Sequence, residues 1–166
     1  MVTIIIYYHI AIMKRYIISL MSIICFVCSC EKPETTITDG SPEFTGQMTV
    51  LYEGENFTQE NIKIQLEFDQ SKNTIDIMLK KVKFVPAMPV RLDISILKVP
   101  VTLQDDGSWK IEGDNITPWA MGGPYDTYRV DDLEGAFTDT TCEFSLGFYN
   151  TKKQTNYPTS YSGVIQ

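Results

Sequence analysis

Hydrophobic and polar residues alternate along most of the chain beyond residue 43. Successive side chains of a β-strand point to opposite faces of the sheet, so such alternation predicts strands with one buried face. The pattern is clearest in residues 61–69, where polar side chains separate the apolar positions Ile62, Ile64, Leu66 and Phe68. We find no stretch of helical period after the first 42 residues, which predicts an all-β domain.

Interruptions of this pattern predict where the strands bend or end. The alternation changes phase at Lys80 and Lys81, which predicts a β-bulge. Pro86 and Pro89 lack an amide donor, so residues 85–89 are predicted to form a loop. Asp-Asp-Gly at residues 105–107 is typical of a tight hairpin turn. The predicted strands cover residues 44–53, 61–69, 75–84, 90–96, 99–103, 108–112, 127–137, 141–149 and 160–165.

So many consecutive strands must protect the edges of their sheet. Closing an antiparallel sheet into a barrel removes the edges altogether. We therefore predict that residues 43–166 form an antiparallel up-and-down barrel of about eight strands. A sandwich of two β-sheets is the alternative.

The beginning of the chain has the character of an export signal. Lys14 and Arg15 precede an apolar run from Tyr16 to Val27. A run of about a dozen residues suits the core of a signal peptide better than a transmembrane helix. Translation is expected to start at Met13, and residues 1–29 are interpreted as upstream residues plus a signal peptide.

Cys30 is the predicted point of attachment to the membrane. The quartet Val27-Cys28-Ser29-Cys30 resembles the lipobox of bacterial lipoproteins, which has an aliphatic residue, a small residue and then the modified cysteine. The resemblance implies that the thiol of Cys30 receives a diacylglycerol and that cleavage precedes it. Residues 30–42 are polar and rich in threonine and proline, so we expect a flexible tether between lipid and domain.

The charge and the scarcity of histidine limit the function classes. From Cys30 onward the chain has 12 basic and 21 acidic residues, a formal charge of 12 − 21 = −9. Such an acidic protein is a poor partner for nucleic acid. The single histidine, His9, lies before the expected start, which excludes histidine-based nucleophile systems and zinc sites. We expect no catalytic residue, no metal site and no cofactor.

Two further groups were considered for chemistry. Asp131, Asp132 and Glu134 form an acidic cluster that could serve a carboxylate-based hydrolase. Asp131 and Asp132 should point to opposite faces of one strand, however, and a solvated acidic edge is the preferred interpretation. Cys142 falls at an apolar position of a predicted strand and has no cysteine partner in the exported chain, so we expect a buried, unreactive thiol.

Several segments resemble those of a known family. Phe84-Val-Pro-Ala-Met-Pro-Val90, Gly107-Ser-Trp109, Gly113-Asp-Asn-Ile-Thr-Pro118 and Tyr161-Ser-Gly163 look like segments of the calycin-like (lipocalin-like) β-barrel lipoproteins of Gram-negative gut anaerobes. The resemblance covers nearly the whole exported chain and implies a calycin-like barrel and an outer-membrane lipoprotein facing either the periplasm or the cell surface. True lipocalins have Gly-x-Trp at the start of the first strand, whereas here Gly46 is followed by Gln47 and Met48. Their ligand-binding residues therefore do not transfer to this chain.

The segment of residues 115–125 is the predicted mouth of the barrel. It combines two adjacent glycines with Trp119, Met121 and Tyr125, the candidate ligand-binding residues. Trp119 could gate the barrel over a small apolar ligand, or it could simply plug that end. The first function considered is therefore a membrane-anchored binder of such a ligand. The alternative is a non-enzymatic structural or interaction module of a periplasmic or cell-surface assembly.

Overall fold

A computed structural model describes residues 41–166, which form ten antiparallel β-strands. The predicted leader, the predicted lipidation of Cys30 and the predicted tether up to residue 40 lie outside the described residues. Residues 41–166 contain no helix that could cross a membrane. The strands are β1 (Glu43–Tyr52), β2 (Glu55–Asp69), β3 (Thr74–Val82), β4 (Leu92–Leu103), β5 (Trp109–Gly113), β6 (Trp119–Ala120), β7 (Gly123–Pro124), β8 (Tyr128–Phe137), β9 (Thr141–Asn150) and β10 (Thr155–Ile165).

Eight of these strands close into a barrel. Neighbours in the chain pair in the order β1-β2-β3-β4-β5-β8-β9-β10, and β10 pairs back to β1 from Phe44↔Ile165 to Val50↔Thr159. The short β6–β7 hairpin lies beside the first half of β4, while β5 pairs with its second half. The predicted up-and-down barrel is confirmed, and this closure excludes the two-sheet sandwich.

The connections between strands distinguish the two ends of the barrel. One end carries the turns β1–β2, β3–β4 and β9–β10 together with the long segment between β5 and β8, and we call it the loop end. The other end carries the first residue of β1 and three short turns. The chain thus enters the barrel at the end opposite to its longest loops.

The interior is built from the inward positions of the alternating pattern. Ile62, Ile64 and Leu66 of β2 are buried, as predicted, whereas Phe68 is only half-buried near the end of the strand. The same alternation continues around the barrel and produces one continuous hydrophobic cluster. Its largest fully buried side chains are Phe44, Phe148, Met48, Ile64, Leu66, Ile75, Ile77, Leu79, Ile94, Ile96, Ile111 and Leu133.

Four β-bulges bend the wall, at Asn61, Lys81, Lys98 and Asp132, and an aspartate holds each of the last three. Lys81, Lys98 and Asp132 have φ of 55°, 58° and 50°, the left-handed conformation of a bulge residue. The amide of Lys81 donates to Asp93 Oδ1 at 2.8 Å, and that of Lys98 donates to Asp76 Oδ1 at 2.7 Å. The amide of Asp132 donates similarly to Asp114. The bulge predicted at Lys80 and Lys81 is confirmed.

Two glycines permit a close approach between β1 and β10. Gly46 and Gly163 are paired directly across the two strands. A Cβ atom on Gly163 would lie 2.2 Å from Tyr161 Oη, and one on Gly46 would lie 2.0 Å from the carbonyl oxygen of Ser162. Tyr161 can therefore fold over Gly163, stack on Phe144 and donate its hydroxyl to the carbonyl of Ile62 at 3.4 Å.

Several strand bounds differ from the predictions. β2 begins at Glu55, because the bulge at Asn61 shifts the phase of the alternation and brings Gln59 to the inward face. β10 begins at Thr155, because the alternation continues there with Thr159 as a buried polar residue. The predicted strands 90–96 and 99–103 are one strand, β4, since the bulge at Lys98 restores the phase between them. Residues 115–125 contain the β6–β7 hairpin instead of an irregular loop.

Candidate functional site

Aromatic side chains fill the interior at the loop end. Phe84 stacks on Phe148 with ring centroids 3.5 Å apart, and Tyr128 covers the same ring at 4.7 Å. Tyr52 and Tyr157 form a second stack at 6.1 Å. These five rings, which we call the aromatic plug, occupy the position where the mouth of a ligand-binding barrel would open.

The predicted mouth residues are divided between two sides of the wall. Trp119 pairs with Ser95 and is 42% exposed, whereas its neighbour Ala120 pairs with the buried Ile94 and points inward. Side chains alternate along a strand, so Trp119 lies on the outer surface and does not plug the barrel.

The other two predicted mouth residues differ in the same way. Met121 follows in the hairpin turn with φ of 54° and is 77% exposed. Tyr125 packs against the core and lies 5.1 Å from the ring of Tyr128, and burial raises the pKa of its hydroxyl. The structure therefore does not bring Trp119, Met121 and Tyr125 together around one cavity, and their role in ligand binding stays a prediction.

The loop between β3 and β4 is fastened by a buried amide. Gln59 points inward and is 4% exposed. Its Nε2 donates to the carbonyl of Lys83 at 2.8 Å, and its Oε1 accepts the Lys83 amide at 3.0 Å. Arg91 Nη1 donates to the same Oε1 at 3.3 Å and to the carbonyl of Lys81 at 3.1 Å. Gln59 thereby replaces the ladder hydrogen bonds that the chain loses where β3 ends.

The outer wall carries several grooves. One of about 370 Å³ crosses β9 and β10, where Gly147 leaves a depression beside Asn156. Another, of about 520 Å³, crosses the loop-end parts of β2, β3 and β4 and is lined largely by charged side chains. Both grooves lie on the face of the sheet that is opposite to the hydrophobic cluster.

The acidic cluster does not resemble a pair of catalytic carboxylates. Arg129 donates to both oxygens of Asp131 at 2.6 Å and lies over the ring of Tyr149 at 4.9 Å from its centroid. Asp132 occupies the bulge and is exposed, so the alternation that would have placed it opposite to Asp131 is broken. Asp131 is thus neutralised by an ion pair on the outer wall, and the adjacent acids are solvated.

Cys142 is a buried residue of the hydrophobic cluster. Burial raises the pKa of its thiol to about 12, with a smaller contribution from the neighbouring charge of Glu143. The thiolate is therefore scarce near neutral pH, and the thiol is a poor nucleophile. Within residues 41–166 no three histidine, cysteine, aspartate or glutamate side chains are grouped as metal ligands.

Comparison with known proteins gives a fold but no family. No protein-family model and no curated protein matches the chain. The chain is similar to a crystal structure from Bacteroides fragilis, described as that of a "putative outer membrane protein", with a TM-score of 0.57 and 16% sequence identity. The similarity covers 75% of this chain and 50% of that protein, so this chain spans half its length. At this level of identity, the likeness supports the barrel architecture alone.

Two features of the barrel were not predicted from the sequence, the buried Gln59 and the charged groove on the outer wall. Gln59 was overlooked because the alternation of residues 61–69 would place it on the outer face, and only the bulge at Asn61 turns it inward. The charged groove was overlooked because it depends on the register that places Lys63 opposite Lys80, and no local pattern encodes that register.

Proposed function

We propose that this protein is a non-enzymatic module of the cell envelope that acts through the outer surface of its barrel. The aromatic plug is the observation that carries the proposal. Pockets for small molecules have volumes of roughly 300–1,000 Å³ and are lined mostly by apolar side chains. Here the rings of Phe84, Phe148 and Tyr128 occupy that space and pack against one another.

Exposed apolar residues at the loop end support an interaction role. Val90, Trp119 and Met121 are 57%, 42% and 77% exposed, and we call them the loop-end patch. Trp and Met are enriched in the buried centres of protein interfaces. The patch lies at the end of the barrel opposite to the start of β1, so a protein anchored through its N-terminal tether can present it away from the membrane.

The proposed anchor is a lipid on Cys30, and the proposed family is the calycin-like barrel lipoproteins. A tether of residues 30–42 can extend by at most about 3.5 Å per residue, or about 40 Å. That reach lets the barrel contact partners beyond the lipid headgroups. The description of the Bacteroides fragilis structure agrees with a place in the outer membrane, on its periplasmic face or at the cell surface.

The loop-end patch provides the test of the interaction role. The full lipidated chain would be cross-linked in its own cells, as wild type and as a Trp119→Ser, Met121→Ser double variant. Leu103→Ser is the matched control, because Leu103 is 48% exposed near the opposite end. We expect discrete cross-linked partners that disappear in the double variant and persist in the control. Identical cross-links in all three proteins would contradict the proposal.

The ligand-binding alternative has its own test. If Trp119, Met121 and Tyr125 bind an apolar ligand, the fluorescence of Trp119 should respond to lipids, sterols or bile acids. Subtracting the spectrum of Trp119→Phe isolates that signal from the signal of Trp109. We expect no saturable response, because Trp119 lies on the outer wall and the aromatic plug fills the mouth of the barrel. A saturable response that Trp119→Phe abolishes would favour the ligand binder instead.

A further inference from the structure

Two lysines face each other across neighbouring strands. Lys63 of β2 is directly paired with Lys80 of β3, and both side chains project from the outer wall because Ile62, Ile64 and Leu79 point inward. Like charges directly opposite one another in an antiparallel pair destabilise a sheet. Lys63 contacts Glu43 at 2.6 Å, whereas Lys80 lies 4.0 Å from Asp93. Exposed ion pairs of this kind contribute little, so the repulsion is only partly offset.

The same lysines line the charged groove of about 520 Å³. Lys81 and Arg91 bring the number of cations in its lining to four, while Glu60 and Asp93 line it as acids and Glu43 pairs with Lys63 beside it, so the formal charge is 4 − 3 = +1. The whole chain has a formal charge of −7. A local reversal of sign on an acidic protein concentrates anions at that place.

The acids of the groove already have partners of their own. Asp93 Oδ1 accepts the amide of Lys81, which holds the bulge, and Glu60 accepts from Gln47 Nε2 at 2.5 Å. These hydrogen bonds hold the two carboxylates in place without removing their charge, and the cations of the groove still outnumber the acids beside them.

Arg91 is oriented in advance. Its Nη1 donates to Lys81 and Gln59, and Gln59 is itself fixed by Lys83. Nη2 and Nε of Arg91 contact no acceptor among the residues that the structure describes. A guanidinium held by one nitrogen keeps the fork of its other N–H groups for a planar or tetrahedral oxyanion.

We propose that this groove, lined by Lys63, Lys80, Lys81 and Arg91, binds a phosphate group. Arg91 would donate two hydrogen bonds to the phosphate oxygens, and Lys80 would supply a point charge beside them. A bound dianion would also remove the repulsion between Lys63 and Lys80. Free inorganic phosphate and the phosphomonoester headgroup of a lipid share this chemistry.

Binding can be measured by calorimetry on the full chain in a neutral detergent at constant ionic strength. The two probes are inorganic phosphate and glycerol 3-phosphate, which represents a phosphomonoester headgroup. We expect saturable binding, and tighter binding of glycerol 3-phosphate would identify the headgroup as the source. Equal or tighter binding of inorganic phosphate would identify the free anion. Absence of saturable binding by either probe would overturn the proposal.

Variants distinguish phosphate binding in the groove from a general attraction of anions to lysines on the surface. Lys80→Gln and Arg91→Gln should each weaken phosphate binding about tenfold, equivalent to about 1.4 kcal/mol. Arg91→Lys should recover only part of the affinity, since it keeps the charge but loses the fork. Lys152→Gln removes one exposed charge from the β9–β10 turn and should leave the affinity unchanged. If Lys152→Gln weakened binding as much as Lys80→Gln, the proposal would be wrong.

Thermal unfolding gives a second readout that does not depend on a calorimetric signal. Phosphate should raise the Tm of wild type, because it binds only the folded state. Lys80→Gln should unfold at the same or a higher temperature than wild type without phosphate, since one of the two facing charges is gone. The rise in Tm that phosphate causes should be smaller in Lys80→Gln than in wild type at the same phosphate concentration. A variant that responded to phosphate as wild type does would contradict a site at Lys80.

Discussion

Replacing Gln59 by alanine tests whether its buried amide holds the loop that carries Arg91. The side chain is 4% exposed and makes two hydrogen bonds to Lys83, of 2.8 Å and 3.0 Å. Gln59→Ala removes both and leaves the amide and carbonyl of Lys83 without their partner. Each buried polar group that loses its partner costs about 1–3 kcal/mol.

The loss of stability in Gln59→Ala depends on how well water can hydrogen-bond to the backbone of Lys83 in place of Gln59. Lys83 is half-buried, so water can reach it in part and each group should cost an amount near the lower limit. We expect Gln59→Ala to lower the free energy of unfolding by about 2–4 kcal/mol. For a barrel of this size, the corresponding fall in Tm is roughly 10 °C.

Chemical denaturation of the full chain in neutral detergent, followed by tryptophan fluorescence, measures this change. Gln47→Ala is the matched control, because that exposed glutamine only contacts Glu60 and should change stability by less than about 0.5 kcal/mol. Both variants remove one glutamine side chain, from inside the barrel in Gln59→Ala and from its outer surface in Gln47→Ala. If Gln59→Ala cost no more than Gln47→Ala, the reasoning about the fastened loop would be refuted.

Two further predictions concern the packing of the barrel. Gly163→Ala should destabilise the barrel by about 2 kcal/mol or more, because the new Cβ would lie 2.2 Å from Tyr161 Oη. Gly123→Ala is the control, because its new Cβ meets no atom within 4 Å and should leave the free energy of unfolding unchanged in the same assay. Phe148→Ala should lower the free energy of unfolding by about 3–5 kcal/mol, because it opens the aromatic plug. Tyr149→Ala, which removes an outward ring, should lower it by about 1 kcal/mol. Equal losses in the two variants would argue against a packed mouth.

The thiol of Cys142 should react with a disulfide reagent at pH 8 only after unfolding, as peptide masses would show; rapid labelling of the folded protein would contradict its burial. Burial raises the pKa of the Cys142 thiol to about 12 in the folded protein. The contribution of this thiol to stability should therefore be complete below the ordinary pKa of a thiol and should be lost as the pH rises from there to about 12.

Local alternation was sufficient to predict most of the wall. The inward positions Ile62, Ile64 and Leu66, the bulge at Lys81 and the loop of residues 85–89 follow from side-chain period and proline chemistry alone. These features depend on residues close together in the chain. For that reason the strands could be located, and the closed barrel could be favoured, before any pairing was known.

The surfaces could not be predicted because they depend on register between distant strands. Trp119 was expected at the mouth, yet its pairing with Ser95 turns it to the outside. The aromatic plug brings together Phe84 and Phe148, which belong to segments with no local relation. Lys63 and Lys80 likewise become neighbours only through the β2–β3 ladder.

Native mass spectrometry of the chain, purified from its own cells, is the most direct test of whether a small molecule occupies the interior of the barrel. The interior of the barrel is filled by its own side chains, and the proposed function lies on the outer surface. We therefore expect a protein mass that, apart from lipid on Cys30 and any bound phosphate, equals the mass of the polypeptide. An apolar small molecule that accompanies the barrel in stoichiometric amount, and is released when Phe84 and Phe148 separate on unfolding, would contradict the account.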